Sequence, residues 1–258
     1  MRRQLSVRVK PTRRTSIFGS DLMGGIAKNG VSVVDGDNVA IQGQDTTGIA
    51  IQGQIVYTAI PWELLDFAGA QGSQGVTINS VGSNLIVVFS AYFTGSFSLT
   101  DSENNIWSEA ISIGGLPVSD IHYCLRPTTS PEHTIALTAG FPAFIVAAFR
   151  GRSNDFSPDQ SQAVSNPNFT PITLPAITPT VANTLAVTTV GMGYSNAAVD
   201  SGFTIIETLP RGTNYGTSAA YLVIPGAASI APTWTLTGQV SADTTSATLV
   251  SFNSSTDE

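Results

Sequence analysis

Charge is scarce in this sequence and is unevenly distributed. Charged residues make up 11% of the 258 residues, against roughly 25% in typical soluble domains. Both lysines, Lys10 and Lys28, lie in the first 28 residues, which hold seven cations and one acid, Asp21, a balance of +6. The remaining residues hold four arginines and 17 acids, a balance of −13. This asymmetry predicts a basic attachment segment joined to an acidic body.

Cysteine, histidine and long apolar runs are also rare. The single cysteine, Cys124, excludes an intrachain disulfide, and its strand-like surroundings predict a buried thiol. No apolar segment follows the basic start, so we expect no signal peptide. No run approaches the 18 or more apolar residues of a membrane span. We therefore expect a protein made in a host cytoplasm, without a membrane partner.

The segment before the body is predicted to have two parts. Residues 1–30 form a basic extended anchoring arm. Residues 31–69 form a docking or stalk segment, made of a short β repeat and one helical turn. The helical turn is expected at 61–67, because proline at the first helical position and glutamate in the first turn favour a helix start. The repeat, Ala40-Ile41-Gln42-Gly43-Gln44 and Ala50-Ile51-Gln52-Gly53-Gln54, predicts two strand–turn units with turns at Asp35-Gly36 and Thr47-Gly48.

Residues 70–253 are predicted to be one β-sandwich with a shared core, built from two similar halves at about 75–151 and 180–253. Between the halves, 153–179 is rich in proline and is expected to be an extended crossover. Five short segments of the first half recur in the second in the same order. The matched pairs begin at Asn84 and Asn183, Phe97 and Phe203, Tyr123 and Tyr221, His133 and Pro232 (which aligns Thr134 with Thr233), and Phe144 and Thr248. Equivalent halves would place Phe149 and Phe252, and likewise Tyr123 and Tyr221, at related core positions.

Several of these segments carry a resemblance to a known class of domain. They are Asn84–Val88, Leu99–Trp107, Tyr123 and Phe144–Gly151. Together they resemble the two-sheet, jelly-roll-like domains of virion proteins from tailed bacteriophages and of some bacterial surface proteins. The resemblance covers about 75–253 and rests on strand cores and a turn motif. It implies an all-β, jelly-roll-like sandwich and a structural role in a virion.

Few side-chain groups in the body suggest chemistry. Asp101, Glu103, Asn104 and Asn105 offer oxygen ligands for Ca²⁺, but they lack the glycine and distal glutamate of an EF-hand loop. A hairpin turn is the favoured interpretation, as it is for Asp35-Gly36-Asp37-Asn38. We expect no metal and no cofactor.

Catalytic and sugar-binding arrangements are also weakly indicated. A Ser–His–Asp triad is formally open for His122 or His133, but neither accompanies a Gly-x-Ser-x-Gly elbow, and nothing pairs two carboxylates for glycosidase chemistry. Trp62, Trp107 and Trp234 could form a sugar-stacking platform, although core packing is the commoner use of such rings. A glycan site would more readily lie on the turns. Phosphate binding by the Gly191–Tyr194 segment would require a helix directly after it, and the sequence predicts none there.

The arm carries the strongest candidate site. Its proposed partner-anchoring residues are Arg2, Arg3, Arg8, Lys10, Arg13 and Arg14. Nucleic acid is disfavoured as a partner, because no aromatic ring for base stacking precedes Phe18 and the acidic body would repel a polyanion. An acidic protein surface is favoured, since arginine pairs carboxylates bidentately. A frayed tail remains the alternative.

The resulting functional expectation is a non-enzymatic structural protein of a tailed-phage virion. A tail fibre or adaptor is preferred over a capsid decoration protein. Its expected partners are other virion proteins, further copies of itself in a homo-oligomer such as a trimer, and a host surface glycan. A glycan- or receptor-binding module is the first alternative, and a hydrolase of surface polysaccharide is the second.

Overall fold

The computed structural model describes residues 31–34, 38–42, 46–51, 54–59, 62–151, 156–166, 170–241 and 244–254. The chain divides into two units, residues 1–61 and 62–258. All described secondary structure is β, and the described residues contain no helix. The prediction of an all-β protein with a β-sandwich is therefore confirmed, and its jelly-roll character stays a prediction.

Unit 1 contains a four-stranded antiparallel sheet in the order β1-β2-β3-β4. The strands are β1 (Val31–Val34), β2 (Asn38–Gln42), β3 (Thr46–Ile51) and β4 (Gln54–Ala59). The described residues of the first copy of the repeat, 40–42, lie in β2, and those of the second copy lie at the end of β3 (Ala50 and Ile51) and the start of β4 (Gln54). The turn predicted at Thr47-Gly48 is wrong, because both residues lie within β3. The Asp35-Gly36 turn lies outside the described residues.

Unit 2 contains the remaining strands. The first six are β5 (Glu63–Gln71), β6 (Gly75–Ile78), β7 (Leu85–Asp101), β8 (Ser108–Ile113), β9 (Val118–Leu125) and β10 (His133–Arg150). The other eight are β11 (Phe156–Asn166), β12 (Ile172–Thr173), β13 (Thr184–Met192), β14 (Tyr194–Val199), β15 (Thr204–Leu209), β16 (Gly216–Ile224), β17 (Thr233–Gln239) and β18 (Thr245–Ser254). We call β5–β10 half 1 and β11–β18 half 2.

Two predicted boundaries are wrong. The helical turn expected at 61–67 is replaced by strand β5, which pairs with β10 and belongs to the sandwich. Trp62 just before it is buried in the core, so packing of the ring outweighs the helix-start signal. The expected crossover at 153–179 contains β11 and β12. Pro158 lies in β11, at the edge of its sheet, where a missing N–H is tolerated.

The two halves have the same strand order. The main sheet of half 1 runs β5-β10-β7-β9-β8, and that of half 2 runs β11-β18-β13-β16-β15. In half 1 the long strands β7 and β10 bend and pair again beyond the bend, where β6 joins β10. In half 2 the region equivalent to the strands beyond the bend is a separate three-stranded sheet, β12-β17-β14. Unit 2 is thus an internal duplication at the level of topology.

Residue registers confirm the predicted core equivalence. Leu85 lies opposite Phe149, and Leu185 lies opposite Phe252. Tyr123 lies opposite Val87, and Tyr221 lies opposite Val187. One predicted match is wrong: Phe97–Asp101 ends β7, whereas Phe203–Glu207 leads into and forms part of β15, which occupies the place of β8.

The buried apolar residues that the structure describes in unit 2 form three clusters where a single shared core was expected. The first lies between the two main sheets and includes Phe89, Phe149, Val187 and Phe252. The second packs β12 and β17 onto the outer face of the half 2 sheet around Trp234. The third packs β6 and the first part of β10 onto the half 1 sheet. Each half therefore has its own core in addition to the shared one.

The contact between the halves is nearly two-fold symmetric. The Tyr123 ring meets Phe252 edge-on at 5.4 Å between centroids, and Tyr221 meets Phe149 in the same way at 5.7 Å. Strand contacts follow the same rule, with β8 against β11 and β15 against β5. Such reciprocity is the geometry of an isologous dimer interface, here formed within one chain.

The strands of both halves share two ends. At the entry end, where β5 begins, Trp62 Nε1 donates to the Asn183 carbonyl at 3.0 Å. At the distal end, where β5 finishes, Gln71 Nε2 donates to the Tyr215 carbonyl at 3.1 Å. These two contacts fix both halves in the same direction. Unit 2 therefore presents one set of loops beside its first residues and another set at the opposite end.

One partly buried acidic side chain lies where the halves meet. Glu207 on β15 lies against Gly69 of β5, where a larger residue would collide with its carboxylate. Its Oε2 is buried and accepts no hydrogen bond from the described residues. Burial raises the pKa of Glu207, because a charge loses its hydration there.

We expect Glu207→Gln to stabilise the protein at neutral pH. The folded-state pKa is raised, so stability is lost as pH rises from the unfolded value, about 4.3, through the folded value. The gain should be largest above that window and should vanish below about pH 4. Urea unfolding of both proteins between pH 3.5 and 8 would measure it. A stability difference that does not change with pH would show that the carboxylate is solvated.

Candidate functional site

The six predicted anchoring cations lie outside the described residues. Arg2, Arg3, Arg8, Lys10, Arg13 and Arg14 belong to the first 30 residues, so their role stays a prediction. In the described body, Arg150 Nη2 pairs with Glu63 Oε2 between β10 and β5. This pair lies at the entry end and is half-exposed, so it contributes little to stability.

The Asp101 cluster is a turn. Asp101 Oδ1 accepts from the backbone N–H of Glu103 at 2.9 Å and of Asn105 at 3.0 Å. Its Oδ2 accepts from Trp107 Nε1 at 2.9 Å. Asn104 adopts a left-handed conformation with φ of 57°. Since N–H donors occupy both carboxylate oxygens, the group closes the turn in the way that Asp and Asn often do.

A Ser–His–Asp arrangement exists around His133, but it is sealed. Ser80 Oγ lies 2.9 Å from His133 Nδ1, and His133 Nε2 lies 3.6 Å from Asp101 Oδ2. Ser80 and His133 are completely buried. Ser80 Oγ also accepts from the Ser130 backbone N–H at 3.0 Å. The three side chains join loops at the entry end and offer no access to a substrate.

A second polar cluster surrounds His122 on the outer face of the half 1 sheet. Asp120 is fully buried, and its Oδ1 accepts a hydrogen bond from Ser90 Oγ. His122 Nδ1 lies 3.7 Å from the same oxygen. The exposed carboxylate of Glu109 lies 4.0 Å from Nε2 on the other side of the ring. Phe97 stacks on the imidazole at 4.6 Å. We call Ser90, Tyr92, Glu109, Asp120 and His122 the polar cluster.

The electrostatics of the polar cluster are unusual for a core. Asp120 Oδ2 and His122 Nδ1 are buried without a hydrogen-bond partner in the described residues. Burial raises the pKa of Tyr92, and the charge of the nearby Asp120 raises that pKa further. A buried carboxylate with an unmet oxygen costs free energy. The cluster is therefore a place where packing alone does not explain the residues.

Half 2 shows what the fold requires at the same positions. The registers of β13 and β16 against those of β7 and β9 place Val190 where Ser90 lies, Met192 where Tyr92 lies, Ser218 where Asp120 lies and Ala220 where His122 lies. The two strand pairs thus form equally well with no carboxylate and no histidine. Sequence reasoning missed the cluster because its members are separated by up to 32 positions and no motif joins them.

The chemistry of the polar cluster is not that of a catalytic triad. In a triad the serine bonds to the histidine and the histidine to the acid. Here Ser90 donates to the acid directly, and His122 Nε2 faces a second carboxylate. The hydroxyl is fully buried. Among described residues, no three or more His, Cys, Asp or Glu side chains are grouped so that they could hold a metal ion.

The other predicted candidates have structural partners. Trp62 and Trp234 are buried, and Trp234 Nε1 donates to Thr188 Oγ1 at 3.1 Å. With Trp107 bonded to Asp101, the three rings do not form a platform. The prediction that Cys124 is buried is confirmed, and burial raises the pKa of its thiol to about 11. The Gly191–Tyr194 segment joins β13 to β14.

Comparisons with known proteins give no relative: no family model, curated protein or solved structure matches this chain. Among the described residues, no helix is long and apolar enough to cross a membrane.

Proposed function

We propose that this chain is a non-enzymatic structural protein of a tailed-phage virion, anchored through its basic N-terminal arm with the β-sandwich facing outward. The observation that carries the proposal is the division of charge, with +6 in the first 28 residues and −13 in the rest. A tail fibre or adaptor is preferred over a capsid decoration protein, because the ten-residue strand repeat between arm and sandwich suits a stalk. The arm docks on an acidic surface of another virion protein.

The sandwich supports a display role through its packing. Its three apolar clusters give a rigid scaffold, and rigid scaffolds position variable loops for contact. The only histidines are held in buried clusters, which favours a structural role over hydrolysis. The low charge of the chain favours assembly, because weakly charged surfaces associate readily, and a homo-oligomer such as a trimer fits a fibre.

Removing the charge of the arm should abolish attachment. Arg2, Arg3, Arg8, Arg13 and Arg14 would be changed together to alanine. We expect the sandwich to keep its melting temperature and the protein to disappear from purified particles. Attachment of the unchanged protein should weaken with salt, since exposed ion pairs are screened over about 8–10 Å at physiological ionic strength. Quantitative mass spectrometry of particles would measure the copy number.

A matched control changes arginines in the sandwich. Arg126→Ala and Arg211→Ala reduce positive charge without touching the arm, and particles carrying them should keep the normal copy number. Incorporation of the arm variant at the normal copy number would move the anchor to 31–61. If the arm variant and the control variant are both lost from particles to the same extent, a folding defect explains the loss. The charge of the arm would then no longer support the proposal.

A further inference from the structure

Among the described residues, the exposed aromatic rings at the distal end of unit 2 lie on one side. Phe93 lies on β7 opposite Gly140 of β10, and Phe141 follows directly, so both lie at the bend of half 1. Phe93 is 41% exposed and Phe141 is 57% exposed. Exposed aromatic rings at the end of a scaffold are common in binding surfaces.

The backbone at Phe141 is strained. Its φ of 50° places a bulky residue in the left-handed region, which such residues rarely adopt. The next residue is Pro142, and a residue before proline favours extended backbone. The Phe141 carbonyl accepts a hydrogen bond from the Tyr215 N–H at 3.1 Å, and this bond holds the backbone of Phe141 in its conformation. Strain of this kind persists where surrounding contacts enforce it, and it often accompanies function.

A loop of half 2 supplies polar groups to the same corner. Residues 210–215 connect β15 to β16 and contact the bend through the Tyr215 bond. The Arg211 guanidinium lies over the Tyr215 ring at 4.6 Å, and its Nη1 donates to the Thr213 carbonyl at 3.2 Å. Thr213 is exposed and Asn214 is half-exposed. We call Phe93, Phe141, Arg211, Thr213 and Asn214 the distal corner.

In the part that the structure describes, the pseudo-symmetric corner has none of these features. There, residues 114–117 connect β8 to β9 and contact half 2 through Leu116 N–H, which donates to Thr244 Oγ1 at 3.0 Å. This loop has four residues, two fewer than 210–215, and contains no charged or amide side chain. Gly193 occupies the register position of Phe93. The exposed large apolar side chains described there are Leu116 and Val240. The duplication thus shows that the fold does not require the rings, the arginine or the longer loop.

The chemistry of the distal corner selects among partners. The described residues in the loops of the distal end are rich in Gly, Ser, Thr, Asn and Gln, and their one charged side chain is that of Arg211. Two half-exposed phenylalanines offer roughly 150–200 Å² of apolar surface, far below the ~800 Å² per partner of a stable protein dimer. Hydroxyl, amide and guanidinium groups lie beside the rings, unlike the continuous apolar surface that a lipid contact favours.

We propose that the distal corner is a carbohydrate-binding site. The apolar faces of a sugar ring stack on Phe93 and Phe141, and its hydroxyl groups bond to Arg211, Thr213 and Asn214. A polyhydroxylated, largely uncharged ligand matches a surface with rings, neutral polar groups and a single cation. This site rests on the proposed outward display of the sandwich. It deepens that proposal by naming the class of host molecule that the protein meets.

Binding would be tested with the full chain on a printed array of oligosaccharides spanning hexoses, N-acetylhexosamines, deoxyhexoses and uronic acids. We expect a restricted set to bind. Phe93→Ala with Phe141→Ala, and separately Arg211→Ala, should weaken binding at least about tenfold, because each removes buried contact area or donors. The matched control, Leu116→Ala with Val240→Ala, changes exposed apolar residues at the pseudo-symmetric corner and should bind normally. Melting temperatures of all variants confirm folding.

Four results would overturn the site: an array with no bound sugar, binding that survives loss of both rings, equal loss in the control, or a ring variant that has unfolded while Arg211→Ala binds normally. Flotation with phosphatidylcholine vesicles and sedimentation complete the test. Vesicle binding or self-association that depends on Phe93 and Phe141 would assign the corner to lipid or to a second copy instead. Because the assay uses isolated protein, its failure leaves attachment through the arm to be judged separately by particle incorporation.

Discussion

Truncation of Phe149 or of Phe252 to alanine should destabilise unit 2 by about 3–5 kcal/mol in each case. Both rings are completely buried in the cluster between the main sheets, and each meets a tyrosine of the opposite half edge-on. Because the two positions are equivalent by register, we expect the two losses to be similar. Chemical denaturation followed by tryptophan fluorescence would measure them.

The same experiment examines whether the halves unfold together. Trp62 lies in the shared cluster and Trp234 in the cluster of half 2, so fluorescence reports on both regions. A shared core predicts one transition that shifts as a whole in either variant. Ile106→Ala is the control, because this side chain is 85% exposed and its loss should cost little. A second transition that appears only in Phe149→Ala would contradict a common folding unit.

The polar cluster should be replaceable by the residues of half 2. The variant Ser90→Val, Tyr92→Met, Asp120→Ser, His122→Ala installs the side chains found at the equivalent positions. We expect it to be more stable than the natural protein by about 1–4 kcal/mol, because it removes a buried carboxylate with an unmet oxygen. Denaturant midpoints and thermal unfolding would measure the change.

A single substitution provides the opposite result. Ser90→Val alone keeps Asp120 but removes its hydroxyl donor, which should cost about 1–3 kcal/mol. Opposite signs for the single and fourfold variants would show that the carboxylate, rather than the space it occupies, determines the energy. If the fourfold variant were the less stable one, the cluster would be a required part of the half 1 sheet.

The sequence predicted the fold class because alternation along strands survives in both halves. The match of Thr134 with Thr233 is confirmed in detail, since each threonine bonds a partner threonine, Thr77 at 3.1 Å and Thr173 at 3.0 Å. The match of Phe97 with Phe203 was wrong, because β7 is continuous through its bend whereas β13 and β14 are interrupted at Gly193. Local similarity cannot distinguish a bent strand from two strands.

Long-range packing decided what local signals could not. The residues after Pro61 have a helix-start pattern, yet the edge of β10 and the buried Trp62 ring make them a strand. Asp120 and His122 read as ordinary strand residues, and only the register with Ser90 and Glu109 brings them together. At the distal corner, one backbone hydrogen bond joins Phe141 to Tyr215, which is 74 positions away in the sequence. No spacing rule could have found it.

The direction of the strands also determines where loops can change in length during evolution. Glu63, opposite Arg150, and Ser254, opposite Phe156, both lie at the entry end of unit 2. Both ends of the described part of unit 2 therefore lie on one side. The loops at the far side connect strands of unit 2 only. Because exposed loop tips tolerate insertions, a loop there can lengthen without displacing either end of unit 2.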